Sequence, residues 1–326
     1  MTASRFDVAE RLAQGAHLAA VVPDHVGYAG AAYRLQPDQW TFNLAPAIRA
    51  SAPAYFKRYG ITWHQHRNHG LSSQVSCLNF LMPLAEHPEV LSRLVAAALG
   101  IDAPEMLPVE DGPEGRPWFV GFEWVGACDY LNEGAVRTRG ANATSADAIL
   151  RFRHRGRSET LLVEWKYTEA YGAPIPPAGN PTRTKRYQNL AFAPAGPVRS
   201  DLGLALPDFF YEPFYQLLRQ QMLAVRMQAA GEGDAARVRV LHIAPGGNGV
   251  LQAVTAPALR PHGTSAFAAF RSVLTEPEAF VSRATETLFG PLLRSPNAAT
   301  AEWAAYLRDR YRFLDHAPNA AQGPVN

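Results

Sequence analysis

The chain has 326 residues, 47% of them hydrophobic, with a formal net charge of +2. That is enough apolar material for a sizeable core in one elaborated domain or two, while a charge so near zero argues neither for nor against nucleic acid, so any basic surface has to be local. Two cysteines, Cys77 and Cys128, with no CxxC pair between them, exclude a disulfide framework and argue against a thiolate zinc centre.

The opening mixes Arg5, Asp7 and Glu10 and shows no signal-peptide pattern. No apolar run reaches the roughly 18 to 20 residues of a membrane helix, so a soluble cytoplasmic protein is expected. Residues 1–60 are Ala-rich and lack clean periodicity, and are read as an irregular or partly helical extension. In "HGLSSQVSCLNFLMPL", Leu71, Val75, Leu78 and Leu81 recur at helical spacing after the candidate caps Ser72 and Ser73. Pro88 then suits the first turn of a second helix ending at Gly100. "RPWFVGFEWVGACDYL" (116–131), "SADAILRFR" (145–153) and "TLLVEWKY" (160–167) read as strands, and the last two are joined so closely that an antiparallel hairpin is expected. Residues 168–208 read as a long Pro/Gly-rich connection, "EPFYQLLRQQMLAVRMQAAG" as a helix, and "RVRVLHIAP" as a fourth strand. From about residue 262, "AFAAFRSVL", "EPEAFVSRATETLFGPLL" and "TAEWAAYLRDRYRFL" read as helices. The order helix, strand, strand, strand, helix, strand predicts a mixed α/β core with helices on each side of the sheet. It divides the chain into an extension (1–60), a core (61–250) and a C-terminal helical region (251–326).

The chemistry concentrates in "SADAILRFRHRGRSETLLVEWKYTE". Residues two apart on a strand share a face, so Glu164 and Lys166 project together while Val163, Trp165 and Tyr167 face the other way. Of the 31 basic residues only three are lysine, which marks Lys166, inside an apolar run, as something other than a routine surface charge. A buried Glu and Lys each cost several kcal/mol unless paired or bound to a metal. If the hairpin forms, Asp147 meets the 164–166 segment at one end of the sheet. Two carboxylates with a neighbouring lysine suit phosphodiester hydrolysis: hard oxygens hold Mg²⁺, the metal activates water, and the ammonium stabilises developing charge. The plainer reading is a structural ion pair on a strand.

Asp147 with Glu164-Trp165-Lys166 resembles the D-x(n)-E-x-K signature of the PD-(D/E)XK nuclease superfamily, with Ala146 in place of the proline. "HGLSSQVSCLNFLMPL", "RTRGANATSADA" and "VEWKYTE" resemble more closely a group of bacterial restriction endonucleases. The resemblance implies a restriction-endonuclease-like αβββαβ core with extra helices at both ends. It further implies Mg²⁺, with Mn²⁺ as the alternative, held by Asp147, Glu164 and the Trp165 carbonyl beside a catalytic Lys166. The first helix offers Gln74 and Asn79 but no acid, so Glu123 on the first strand is taken as the spare ligand, an ordinary paired carboxylate being the plainer view. The implied substrate is DNA. Restriction-type nucleases often work as homodimers, although nothing in the sequence marks an interface.

Gln216, Arg219 and Gln220 share a helix face. Members of the superfamily reach the site from this helix, so Gln216 is expected to join the catalytic group and Arg219 to reach phosphate; a solvated stripe is the alternative. Arg137 and Arg139 of "RTRG", and Arg183, Lys185 and Arg186 of "TRTKRY", are expected to track the DNA backbone from loops, against a plain solubilising role. "HQHRNH" (His64, His66, His69) matches no defensible zinc spacing, and "APGGNG" (244–249) lacks the helix and GK[ST] of a nucleotide loop. The rival readings are a nucleic-acid-binding protein without turnover and an α/β enzyme acting on small molecules in a deep apolar pocket.

Overall fold

A computed structural model describes residues 5–134 and 136–315; residues 1–4 and 316–326, which end the expected extension and C-terminal region, lie outside the described residues. The N-terminal region holds two helices, α1 (Arg5–Val21) and α2 (Ser51–Arg58), linked by turns and short 3-10 segments. The Ser72 hydroxyl caps α3 (Ser73–Leu81) by accepting from the Val75 N–H at 3.3 Å. Pro88 opens α4 (Pro88–Leu99), and Gly100 ends it at φ 67°, both as the sequence signals require.

The predicted strand over 116–131 is shorter and split. After β1 (Glu105–Leu107), a two-stranded ribbon forms from β2 (Glu110–Asp111) and β3 (Pro117–Trp118), and only β4 (Val120–Trp124) joins the main sheet. The expected hairpin is present as β5 (Ala146–His154) and β6 (Arg157–Trp165), paired antiparallel with Ala148 opposite Val163. Its turn is Arg155-Gly156, at φ 49° and 76°. Two successive positive φ values give the turn a twist that matches the flanking strands.

The connection after β6 is not structureless: it contains α5 (Asn180–Ala191). Only Tyr187 and Ala191 of α5 are buried, and so sparse an apolar face leaves little periodicity to read. The predicted helix follows as α6 (Phe214–Ala229), then β7 (Arg237–Ala244) and α7 (Ala266–Ser272). The run read as one helix over 276–293 divides into a strand, β8 (Phe280–Ala284), and α8 (Thr285–Arg294), before α9 (Ala301–Arg310). β8 pairs in parallel with the open edge of β7, from Val240–Phe280 to Ala244–Ala284. That long-range pairing overrides a local composition that favours helix.

The main sheet runs β1-β5-β6-β7-β8, with β4 also on β5; β6–β7 and β7–β8 are parallel and the other pairings antiparallel. It is therefore a central mixed sheet flanked by helices. Leu161, Val163 and Trp165 of β6 pack against α3, α4 and α8 in one core, while Leu162, with Ile149, Val238 and Val240, packs against α6 and α7 in a second. Alternation along the strands thus commits each face to its own helical layer.

The N-terminal region and α9 are clamped together through Arg310, which is buried. Its Nε donates to Gln14 Oε1 at 3.0 Å, its carbonyl accepts from Gln14 Nε2 at 3.1 Å, and its other nitrogens donate to the Asn43 carbonyl and side-chain oxygen and to the Tyr306 hydroxyl. Among the described residues no helix is long and apolar enough to cross a membrane.

Candidate active site

The β5–β6 register sets Asp147 across from Glu164 at the end of the hairpin farthest from its turn. Asp147 Oδ2 accepts from the Trp165 N–H at 2.6 Å, so its carboxylate is fixed to the peptide group that joins Glu164 to Trp165, one residue before Lys166. Glu164 is fully buried. One of its oxygens is ion-paired with Lys166 Nζ and the other accepts from Gln220 Nε2 of α6, which also donates to the Ser145 carbonyl at 2.9 Å. Lys166, Glu164 and Asp147 therefore form one group at this end of the sheet, with Glu164 tied to α6 through Gln220.

Glu123 comes to the same place by a backbone irregularity. Phe122 pairs with Ala148 and Trp124 with Ala146, but Glu123, between them, is left out of the ladder at φ 51°. A non-glycine residue in this left-handed region costs about 1–2 kcal/mol. Its side chain is held by Gln74 of α3, whose Nε2 donates to Oε1 at 2.7 Å, and by the Ser145 hydroxyl, which donates to Oε2 at 3.0 Å; His64 Nε2 lies 3.6 Å from Oε1. The backbone distortion sets this carboxylate beside Asp147, where a regular strand residue would have formed a ladder pair.

Charge at the site is crowded. Burial raises Glu123 to about 7 and Glu164 to about 8, and the negative charge of Asp147 adds to both shifts, with Lys166 opposing at Glu164. Asp147 itself is raised by burial against the pull of Lys166. Burial disfavours the Lys166 ammonium, but Glu164, Tyr171 and Asp147 hold it well above its ordinary value. The lysine is thus a fixed cation among carboxyls that resist ionising together. Glu169 and Glu212 add negative charge at its margins: Glu169 Oε2 accepts from the Tyr167 N–H at 2.6 Å, and burial raises Glu212, which precedes α6, against its hydrogen bond from Gln216 N–H and the pull of Lys166.

Hard carboxylate oxygens that raise each other's pKa are the donor chemistry a divalent cation relieves, and in that respect the residues fit Mg²⁺. Among the described residues no group of three or more His, Cys, Asp or Glu side chains is arranged to hold a metal ion. Mg²⁺ is commonly bound by one or two carboxylates with water completing its shell, which a sparse donor set of this kind allows. The histidines of "HQHRNH" do not converge: His64 faces Glu123, whereas His69 Nδ1 accepts from Leu71 N–H at 3.1 Å and its ring packs on Tyr33.

Of the helix stripe on α6, Gln220 is the residue that reaches Glu164. Gln216, one turn earlier, makes no side-chain hydrogen bond to these acids or to Lys166 among the described residues, although its backbone N–H donates to Glu212 Oε2 at 3.2 Å. Arg219 Nε donates to Thr144 Oγ1 at 2.8 Å and lies 3.7 Å from Glu133 Oε1. Glu133 also accepts from the Tyr187 hydroxyl at 2.6 Å and, through its carbonyl, from Arg186 at 3.0 Å, tying α5 and α6 to the loop before β5. Arg137 donates to the carbonyls of Val125 and Gly126, Arg183 to the Pro176 carbonyl and Asn180, and Lys185 is exposed. Arg183, Lys185 and Arg186 sit on a helix, not in the loop expected for them.

Arg139 is not on the surface. Its side chain is 13% exposed and forms a two-pronged pair with Glu110, at 2.9 and 3.0 Å, with further bonds to the Tyr55 hydroxyl and the Phe122 and Glu123 carbonyls. Gln74, Ser145 and Glu169 lie inside the stretches that carry the resemblance, which assigns them no role at the site, and Gln220 is marked only by its helical spacing from Gln216. Residues 9–312 match the family model described as "Restriction Endonuclease associating with ARP". Neither the curated proteins nor the solved structures yield a match.

Proposed function

Because the chain belongs to the family of restriction endonucleases associating with ARP, which gives it a nuclease-type role with DNA as substrate, we propose that it is a Mg²⁺-dependent deoxyribonuclease cutting from the Asp147–Glu164–Lys166 site. On this reading the hairpin, its flanking strands β4 and β7 and the helices α3 and α6 are a restriction-endonuclease-like PD-(D/E)XK core. The observation that carries it is the hydrogen bond from the Trp165 N–H to Asp147, which joins the acid of one strand to the Glu-x-Lys of the next at one sheet end.

Asp147, Glu164 and the Trp165 carbonyl would hold the cation, with Glu123 as a further oxygen. When bound, Mg²⁺ or Mn²⁺ supplies an acidified water and polarises the phosphoryl group. The chain does the rest. Gln220 fixes the Glu164 carboxylate, and Lys166 keeps a positive charge where a nucleophilic water and the developing negative charge of the phosphate meet. Glu123, with His64 Nε2 3.6 Å from its Oε1, stands beside Asp147. Lys185, exposed on α5, and Arg183, Arg186, Arg219 and Arg137, on exchanging their present carbonyl and side-chain partners, are the cations that would follow the DNA backbone; Arg139, buried in its two-pronged pair with Glu110, is left out of this set.

The test is cleavage of supercoiled plasmid by the purified protein in Mg²⁺, in Mn²⁺ and in EDTA. Nicking or linearisation in the metals alone is expected. Binding of single-stranded, duplex and branched DNA with no cut in either metal would overturn the reading in favour of a binding protein without turnover.

A second expected result follows from the acids alone. A carboxyl whose pKa rises from 4.5 unfolded to about 8 folded, as for Glu164, stabilises the fold below its unfolded value and loses that contribution as pH rises through the folded value. In EDTA the melting temperature is therefore expected to fall progressively between about pH 5 and pH 8, the interval between the two values, and to level off above it. Mg²⁺ binds the ionised acids, so its stabilising effect should be larger at the upper end. Thermal melts across that range decide it, and a decline that Mg²⁺ leaves unchanged would count against these acids as its ligands.

A further inference from the structure

"APGGNG" follows β7 without being a nucleotide loop, and the structure shows what it touches. Asn248 is 0% exposed, and its single Nδ2 donates to the Tyr167 carbonyl at 3.0 Å and the Glu169 carbonyl at 3.1 Å. These carbonyls flank Thr168, directly after Lys166. The parallel ladder between β6 and β7 ends with the Lys166 N–H donating to the Ile243 carbonyl at 2.8 Å, and β7 itself ends at Ala244 before Pro245. No strand is left to receive the next carbonyls, and each would cost about 1–3 kcal/mol if buried without a donor. The Asn248 side chain takes the place of the missing strand.

The loop is itself anchored. Gly246 N–H donates to both oxygens of Glu286 on α8 at 3.0 Å, and Asn248 N–H to the Pro245 carbonyl at 3.1 Å. A Cβ at Gly247 would lie 3.3 Å from the Phe6 ring of α1. The same helix holds Tyr167 from behind: its hydroxyl donates to Glu10 and accepts from Gln14 Nε2 at 3.1 Å. Residues 166–169 are thus gripped at their carbonyls by Asn248 and at the Tyr167 ring by α1.

We propose that Asn248 is a positioning residue: through the 167 and 169 carbonyls it fixes the strand exit that carries Lys166 and Glu169, and so sets where the Lys166 ammonium stands at the site. The consequence for catalysis rests on the nuclease reading; the mechanical part does not. A displacement near 1 Å at a reacting group can cost on the order of 100-fold in rate. This role is distinct from general packing, because the two bonds end on one short segment.

The experiment compares full-length wild-type protein, Asn248→Ala and Glu286→Ala, the last loosening the loop without uncovering the buried carbonyls should Asn248→Ala fold poorly. Hydrogen exchange is read on peptides covering 164–170 and on peptides of α6, and plasmid cleavage gives kcat and KM. Exchange at 164–170 is expected to quicken about tenfold or more while α6 is unchanged, with kcat down roughly 10- to 100-fold and KM within about twofold. Unchanged exchange at 164–170, or exchange that quickens throughout the protein, overturns the proposal. So does local quickening with wild-type kcat. If the wild type cuts nothing, the nuclease reading fails, and the exchange arm still decides whether Asn248 holds the segment.

Discussion

Replacing Lys166 with alanine is expected to lower plasmid cleavage by about 10²- to 10³-fold or more, the usual loss when a preorganised group that stabilises transition-state charge is removed, with little loss of fold. The second half is the less obvious. Lys166 is the cation paired with a fully buried Glu164, and stripping the partner from a buried charge ordinarily costs about 3–5 kcal/mol. Here the glutamate can escape the penalty. Burial raises it to about 8 even against the pull of Lys166, so without the lysine it is held still more firmly in its protonated form at neutral pH and stays hydrogen-bonded to Gln220 as a neutral acid. Asp147→Asn should behave alike, because an amide oxygen can still accept from the Trp165 N–H while the charge is gone. Plasmid cleavage beside a thermal melt checks both variants; a Lys166→Ala protein that cuts at the wild-type rate would place the chemistry elsewhere.

Arg139→Ala is expected to do the reverse, with a large loss of stability and no direct loss of DNA contact. The change leaves Glu110, 11% exposed at its side chain, without its two-pronged partner, and frees the Phe122 and Glu123 carbonyls. A cost of about 3–5 kcal/mol is expected, read as a shift in the urea midpoint. At a temperature where the variant stays folded, its affinity for duplex DNA and the salt dependence of binding should match the wild type, since a residue that neutralises no phosphate releases no counterion. A stable variant with weakened binding would return Arg139 to the DNA-contacting set. The same substitution bears on the acids, because the Glu123 carbonyl that Arg139 holds belongs to the residue kept at positive φ.

The parts of this molecule that could be read from the sequence are those written in short-range pattern. Two strand-like runs separated by a short turn predict the hairpin, and the hairpin alone aligns Asp147 with Glu164. Caps and prolines mark α3, α4 and α6. What escaped the reading depends on partners far along the chain. β8 is a strand because β7 has a free edge beside it, not because "FVSRA" differs much from the helical run around it. Helical spacing puts Gln216 and Gln220 on one face, but which of them overlies Glu164 depends on where α6 docks. The loop arginines divide in the same way: Arg139 finds Glu110 across a fold that composition cannot foresee, while Lys185 stays exposed. Glu123 could be chosen as a strand acid near the site, yet its left-handed backbone is a property of the interrupted pairing with β5.

The clamp at Arg310 also has a temporal side. Gln14 and Arg310 lie 296 positions apart, and a ribosome adding about 5–20 residues per second needs roughly 15–60 s to travel from one to the other. For that interval the first helix lacks the guanidinium that fixes Gln14, the residue whose amide steadies the Tyr167 hydroxyl next to Lys166. The segment bearing the lysine acquires its last support only after α9 has been made, so a nascent or prematurely released chain has Asp147, Glu164 and Lys166 without the full scaffold that aligns them.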